Sequence, residues 1–235
     1  MKQPSPEFPS RFTGGLFLAA AAMLWLGWML LPVHIGTFFE PDVFPSIRER
    51  FHFWIWMYRF HLFGMVMTAM ALVALGAMTI ESRARVVIWP GVAVAAAGMV
   101  VGALAAAFYY HHGAWGALGS PGKSAEEMQA FVAALRVDTE YVTCLVRFGR
   151  VFSGLGLVVI AWGSRLARAL PLWADAAAGL IGLAAMALTM GLPDHLHLYT
   201  PVFHAKALWL AAVGVAILRG GLRAGDAAGE RGLAS

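Results

Sequence analysis

Four long stretches of this chain carry no Asp, Glu, Lys or Arg at all: residues 13–33, 60–80, 86–110 and 176–193. A helix needs about 20 mostly apolar residues to cross the hydrocarbon core of a bilayer. Backbone polar groups inside that core must bond one another, which leaves helices or closed barrels as spanning structures. Apolar runs of this length, with no period-2 alternation, predict helices. Two further stretches are interrupted but long enough. Residues 141–163 contain Arg147 and Arg150, and residues 198–218 contain His204 and Lys206, with Pro201 breaking the start of the run.

The chain is therefore read as an all-α integral membrane protein, one domain over 1–235 with about six transmembrane helices. The expected spans are 13–33, 53–80, 86–110, 141–163, 174–193 and 200–218, with long loops at 34–52 and 113–139. Composition agrees. Hydrophobic residues make up 60% of the sequence and charged residues 13%, against roughly 25% charged in soluble domains. The first run follows Lys2 and Arg11, as a signal peptide would, but it exceeds the length of a typical apolar signal core and no small-x-small cleavage site follows. It is read as an uncleaved helix.

Net charge is +4 and the isoelectric point about 9.6. In such a chain this excess is topological and does not call for nucleic acid. Lys2 and Arg11, Arg83 and Arg85, Arg165 and Arg168, and Arg219, Arg223 and Arg231 all fall on alternate connections. The remaining connections mix signs: Glu40, Asp42, Arg48, Glu49 and Arg50; Lys123, Glu126, Glu127, Arg136, Asp138 and Glu140; then Asp194. The positive-inside rule places both termini in the cytoplasm. In a bacterial inner membrane the opposite end would face the periplasm. On that side, residues 124–135 have apolar residues at helical spacing, and Ser124 with Glu127 fits a capping box. This segment is expected to be a short amphipathic helix on the outer surface. Tyr109, Tyr110, Trp115, Trp54 and Trp56 are expected to form an aromatic belt.

A weak internal repeat is visible. Residues 57–64 read MYRFHLFG and residues 145–149 read LVRFG. Each opens a helix that runs inward, meets an arginine-containing turn and returns, the first to Tyr109-Tyr110-His111-His112 and the second to Asp194-His195-Leu196-His197. The pattern suggests a duplicated helical hairpin between the first and last helices.

All eight histidines fall at the outer end under this topology: His34, His52, His61, His111, His112, His195, His197 and His204. At 1.5 Å per residue, His61 lies on the order of 10 Å below the outer boundary. Imidazole is a common ligand of haem iron, copper and zinc, and helix bundles build such sites from facing side chains. Three readings follow. In the first, His61 and a second imidazole, from His204 or one of His111 and His112, hold a b-type haem. Arg59, Arg147 and Arg150 lie at a similar level and can pair with propionates or a quinone head group. The protein would pass electrons between quinol and other membrane or periplasmic redox subunits. In the second, Met57, His61 and Met65, with the loop histidines, bind copper. The wider candidate metal set is His34, His61, His112, His195, His197 and His204. In the third, there is no cofactor, and the chain is a structural subunit of a membrane complex. The single Cys144 leaves no CxxC or CxxCH motif, and no Walker A, HExxH or GxSxG sequence occurs. Asp194 with His195 and His197 lacks a nucleophile nearby in sequence, which ranks a hydrolase low.

Overall fold

The computed structural model of the chain describes residues 8–29, 43–119, 121–193 and 195–220. Six helices are long and apolar enough to cross a membrane. They are α1 Phe8–Met29, α3 Phe51–Met78, α4 Arg85–Tyr109, α6 Ala125–Ala167, α7 Leu172–Gly191 and α8 Thr200–Leu218. Between them lie α2 Val43–Glu49, a π-helical segment Tyr110–Trp115 that runs on from α4, the short α5 Gly116–Leu118, and a 3-10 turn Leu196–Tyr199. No strand occurs among the described residues. The chain is an all-α membrane protein.

The helices form a closed ring. α1 packs on α3, α3 on α4, α4 on α6, α6 on α7, α7 on α8, and α8 returns to α1. Among the described residues no backbone contact crosses the centre, so the interior is filled by side chains. The seam between α7 and α8 is much the thinnest. Each helix turns large apolar side chains outward, such as Trp25, Phe63, Leu104, Trp162, Leu183 and Leu208. In a bilayer these face hydrocarbon and cost nothing to expose.

Lipid tails are as apolar as leucine, so close backbone approach at small residues drives association in membranes. α4 and α6 supply it. A Cβ added at Gly98 would stand 2.5 Å from the Ser153 nitrogen and 2.7 Å from the Gly149 oxygen. One at Gly149 would meet the Gly98 oxygen at 2.9 Å. Two backbones pressed together at Gly98, Gly149 and Gly156 bring α6 far enough inward for its polar side chains to enter the ring.

Both described chain ends lie together. A Cβ at Gly14 would be 2.6 Å from Leu218 Cγ, which sets the start of α1 against the end of α8. The turns after α3 and α6 share that end. The opposite end carries every described histidine.

The spans depart from the expected ones at their ends. α1 begins at Phe8, five residues before 13, and ends at Met29. Residues 30–33 lie outside the described residues. Pro201 does not disturb α8, because it sits in the first turn, where the missing N–H has no intrahelical partner to lose. The expected loops at 34–52 and 113–139 are largely helical where described, holding α2, the start of α3, the continuation of α4 and the first part of α6. The separate surface helix is also corrected: residues 125–167 form one helix of 43 residues, roughly 65 Å long against about 30 Å of hydrocarbon. The capping box is present, with Glu127 N–H donating to Ser124 Oγ at 3.2 Å and Ser124 N–H to the Glu127 carboxylate at 2.6 Å. No glycine or proline follows it before Gly149, and Arg136 pairs with Glu140 one turn on at 3.1 Å. Nothing stops the helix, so it runs straight into the span. Its projecting part packs with α2, α5 and the start of α3 around Phe44, Ile47, Trp54, Met57, Ala117 and Met128. Trp54 is thus core rather than belt, while Trp56 and Trp115 are exposed.

Candidate functional site

Polar side chains enter the ring from four elements near the histidine end. α3 contributes His61, α6 contributes Arg150 and Ser153, the 3-10 turn contributes Tyr199, and α8 contributes Lys206. On α8 the buried positions Phe203, Lys206, Leu210, Val213 and Ile217 recur at helical spacing, so Lys206 points inward with the apolar stripe. Its side chain is only 6% exposed. The Lys206 ammonium donates to Ser153 Oγ at 3.2 Å, and the Ser153 hydroxyl donates to the Arg150 carbonyl at 3.0 Å. The Arg150 guanidinium lies over the Tyr199 ring, 4.0 Å from its centroid, within the range of a cation–π contact.

His61 stands at a close approach of α1 to α3. A Cβ at Gly27 would lie 2.7 Å from the His61 nitrogen, so a glycine is what lets α1 pass there. The imidazole stacks on Phe203 with centroids 5.6 Å apart, and Nδ1 is shielded from solvent. Arg150 and Lys206 are the charged groups that act on it.

Beneath this group lies a cavity of about 10 Å³, lined by Thr68 and Leu72 of α3, Ala95 and Met99 of α4, Ser153 and Leu157 of α6, and Lys206, Trp209 and Leu210 of α8. That is close to the space of one water molecule. Thr68 Oγ1 is already committed to the Gly64 carbonyl at 2.7 Å, and Trp209 Nε1 to the Ala174 carbonyl at 2.9 Å.

The other described candidates make their contacts elsewhere. Arg59 turns away from the interior, over Trp56 at 5.1 Å, and donates to the Tyr110 hydroxyl at 3.2 Å. Arg147 donates to the Pro193 carbonyl at 3.2 Å. His111 is exposed and half-buried His112 packs on it and on Phe108, centroids 4.8 and 4.5 Å apart. His52 and His195 are exposed. His204 is half-buried, one position round α8 from the Phe203 that faces His61. His34, Asp194 and the His197 side chain lie outside the described residues. No group of three or more His, Cys, Asp or Glu able to hold a metal ion occurs among the described residues. Met57 is buried in the cluster around Trp54, whereas Met65 reaches Gly102 in the interior, so the two methionines do not share a site.

No protein-family model, curated protein or solved structure matches this chain.

Sequence reasoning named His61 and Arg150 and missed Ser153, Tyr199 and Lys206. Lys206 carried the available signal: it is the one Asp, Glu, Lys or Arg within 200–218, and an ionisable group at membrane depth marks a functional interior by default. Ser153 and Tyr199 carry no such signal, because they matter only through what they touch.

Proposed function

We propose that this protein is a membrane-embedded redox subunit that holds a b-type haem through His61. It exchanges electrons with quinol and with partner subunits at the histidine end, which faces outward from a bacterial inner membrane. The observation that supports this reading most is the company His61 keeps. It is an imidazole inside a helix ring, beside Arg150 and Lys206, with no carboxylate of the described residues acting on either cation.

Those residue types fit the group. Imidazole supplies an axial nitrogen. Arginine and lysine suit propionate oxygens. Leu72, Met99, Trp209 and Leu210 supply an apolar wall. When bound, haem supplies one-electron chemistry; the chain binds the macrocycle, orients the imidazole and excludes water. The interior as packed has room for about one water, so entry of a macrocycle requires parting of helices, and the thin α7–α8 seam is where this costs least. His111 and His112 make ring contacts with each other, and His112 with Phe108, so the reading rests first on His61 as the axial histidine. Copper remains the alternative, with less support because Met57 lies in the cluster around Trp54 and Met65 lies against Gly102.

The test is a reduced-minus-oxidised visible spectrum of detergent-purified protein, with metal analysis on the same sample. A Soret band with α and β bands and near-stoichiometric iron is expected. A colourless, iron-free preparation from cells supplied with haem precursors sinks the reading and leaves the cofactor-free subunit ahead.

A further inference from the structure

We propose that Arg59, held by Trp56 and Tyr110, binds the phosphate of an anionic phospholipid in the leaflet at the histidine end. The exposed apolar positions of α3 recur at helical spacing: Trp56, Phe63, Val66, Met70 and Val73. They form the face that α3 turns to lipid. Arg59 lies on that face, three residues after Trp56 and four before Phe63. Its depth follows from the other end of the helix. Arg59 stands nineteen residues before Met78, the last residue of α3, roughly 28 Å along the axis. Hydrocarbon is about 30 Å thick, and Arg83 and Arg85 mark its boundary beyond Met78. Arg59 therefore sits at the opposite boundary. Helical side chains lean toward the N-terminus of their helix, here the histidine end, so the guanidinium reaches out to the level of lipid phosphates.

Two aromatic side chains hold it there. The guanidinium lies over the Trp56 ring at 5.1 Å and donates to the Tyr110 hydroxyl at 3.2 Å. Tyr110 is itself backed by Trp115, with centroids 6.4 Å apart. A guanidinium carries five N–H donors, and Tyr110 takes one. Among the described residues no carboxylate pairs with Arg59, and the side chain is only half-buried. A planar fork with donors to spare matches phosphate oxygens two at a time, and phosphate is the anion a bilayer supplies at this level. The net charge of the lipid is selected as well. A zwitterionic headgroup brings an ammonium, which needs a carboxylate or a free aromatic face. Arg59 already covers the Trp56 ring, and no carboxylate of the described residues pairs at this place. Tyr110 is a positioning residue in this site, because its hydroxyl fixes the direction of the fork.

The test is native mass spectrometry of the full chain, delipidated in detergent and titrated with dioleoyl phosphatidylglycerol or dioleoyl phosphatidylcholine. The first phosphatidylglycerol should bind more tightly than the first phosphatidylcholine, and Arg59→Gln should weaken it about fivefold, the worth of one cation at a lipid surface. Tyr110→Phe should weaken it by a smaller factor. The arginines at the other end also attract anionic lipid, so Arg83→Gln is the control and should leave the first-bound lipid in place. If Arg59→Gln fails to fold by circular dichroism, Tyr110→Phe carries the comparison. Equal binding of the two lipids by the wild type overturns the proposal, as does phosphatidylglycerol binding unchanged in the folded variants. Equilibrium dialysis against radiolabelled inorganic phosphate should show no uptake; uptake that Arg59→Gln removes assigns the site to free phosphate and overturns the lipid. Lipid binding is read by mass and needs no Soret band, so it stands or falls apart from the haem reading.

Discussion

The imidazole of His61 lies face to face with the ring of Phe203, centroids 5.6 Å apart and planes inclined by 21°. The pairing joins α3 to α8 across the interior of the ring, as the Lys206–Ser153 hydrogen bond joins α8 to α6. It also fixes which histidine of α8's neighbourhood matters. Phe203 takes the inward position and His204 the next one round, about 100° away on a helix of 3.6 residues per turn. Under the haem reading, His61→Ala should abolish the Soret band or shift it, while His204→Ala should leave it in place. Spectra of the two variants at equal protein concentration decide. A band lost in His204→Ala and kept in His61→Ala reverses the ligand assignment.

The α4–α6 contact makes a prediction about stability. At Gly98 a new methyl meets backbone, the Ser153 nitrogen and Gly149 oxygen, neither of which can swing away. Gly98→Ala should cost about 1–3 kcal/mol, the usual penalty for overpacking a fitted interface. Gly15 is the control, since it lies on the exposed side of α1 and a methyl added there would meet nothing within 4 Å. Gly15→Ala should be neutral, or stabilising by roughly 0.5–1 kcal/mol through helix propensity. Unfolding in mixed micelles of increasing sodium dodecyl sulfate measures both. Equal effects at the two positions contradict the close approach of α4 and α6.

Spans were legible in the sequence because lipid imposes a length and a composition on any helix that crosses it. Residues 60–80 and 86–110 could hardly have been anything else. The ends were less legible. Where a helix leaves the bilayer, hydropathy falls but helix need not stop, and Arg136, Asp138 and Glu140 read as loop while continuing α6. The stopping signals were missing, and their absence was the evidence. The site was legible in part. Histidine is rare enough to draw notice at any depth, so His61 stood out. Its neighbours arrive from α6, α8 and the 3-10 turn, and ring order decides which faces meet. That order depends on where glycines let backbones touch, as at Gly27 beside His61, and no periodicity within a single helix encodes it. Arg59 and Arg147, two residues before His61 and Gly149, donate to the Tyr110 hydroxyl and the Pro193 carbonyl respectively.

Ser124 governs the start of the longest helix. Its side chain satisfies an N–H that has no partner within the helix, yet Met128 and Leu135 also tie this segment to the cluster at the histidine end. Ser124→Ala should therefore loosen the first turn without releasing the rest. Loss of such a cap costs about 1 kcal/mol, a factor of about five in a local opening equilibrium. Amide exchange should quicken by about that factor at Glu127 and Met128 and stay unchanged at Thr139. Quickening that extends to Thr139 shows that the projecting helix is held by its cap and not by its packing.

The proposed orientation rests on charge and is tested by one pair of cysteines. Arg83, Arg85, Arg165, Arg168 and Arg219 gather at the end that holds both described chain ends, and the positive-inside rule assigns that end to the cytoplasm. Cys144 is exposed and must first be replaced by serine. Lys123 and Glu81 are both exposed, one just before α6 and one in the turn between α3 and α4, so a cysteine at either position is accessible without disturbing a packed face. Replacing Glu81 also leaves the basic residues in place. In intact bacterial cells a membrane-impermeant maleimide should modify Lys123→Cys at once, and Glu81→Cys only after the membrane is opened. The opposite pattern places the histidine end in the cytoplasm, and electron partners would then have to be sought on that side.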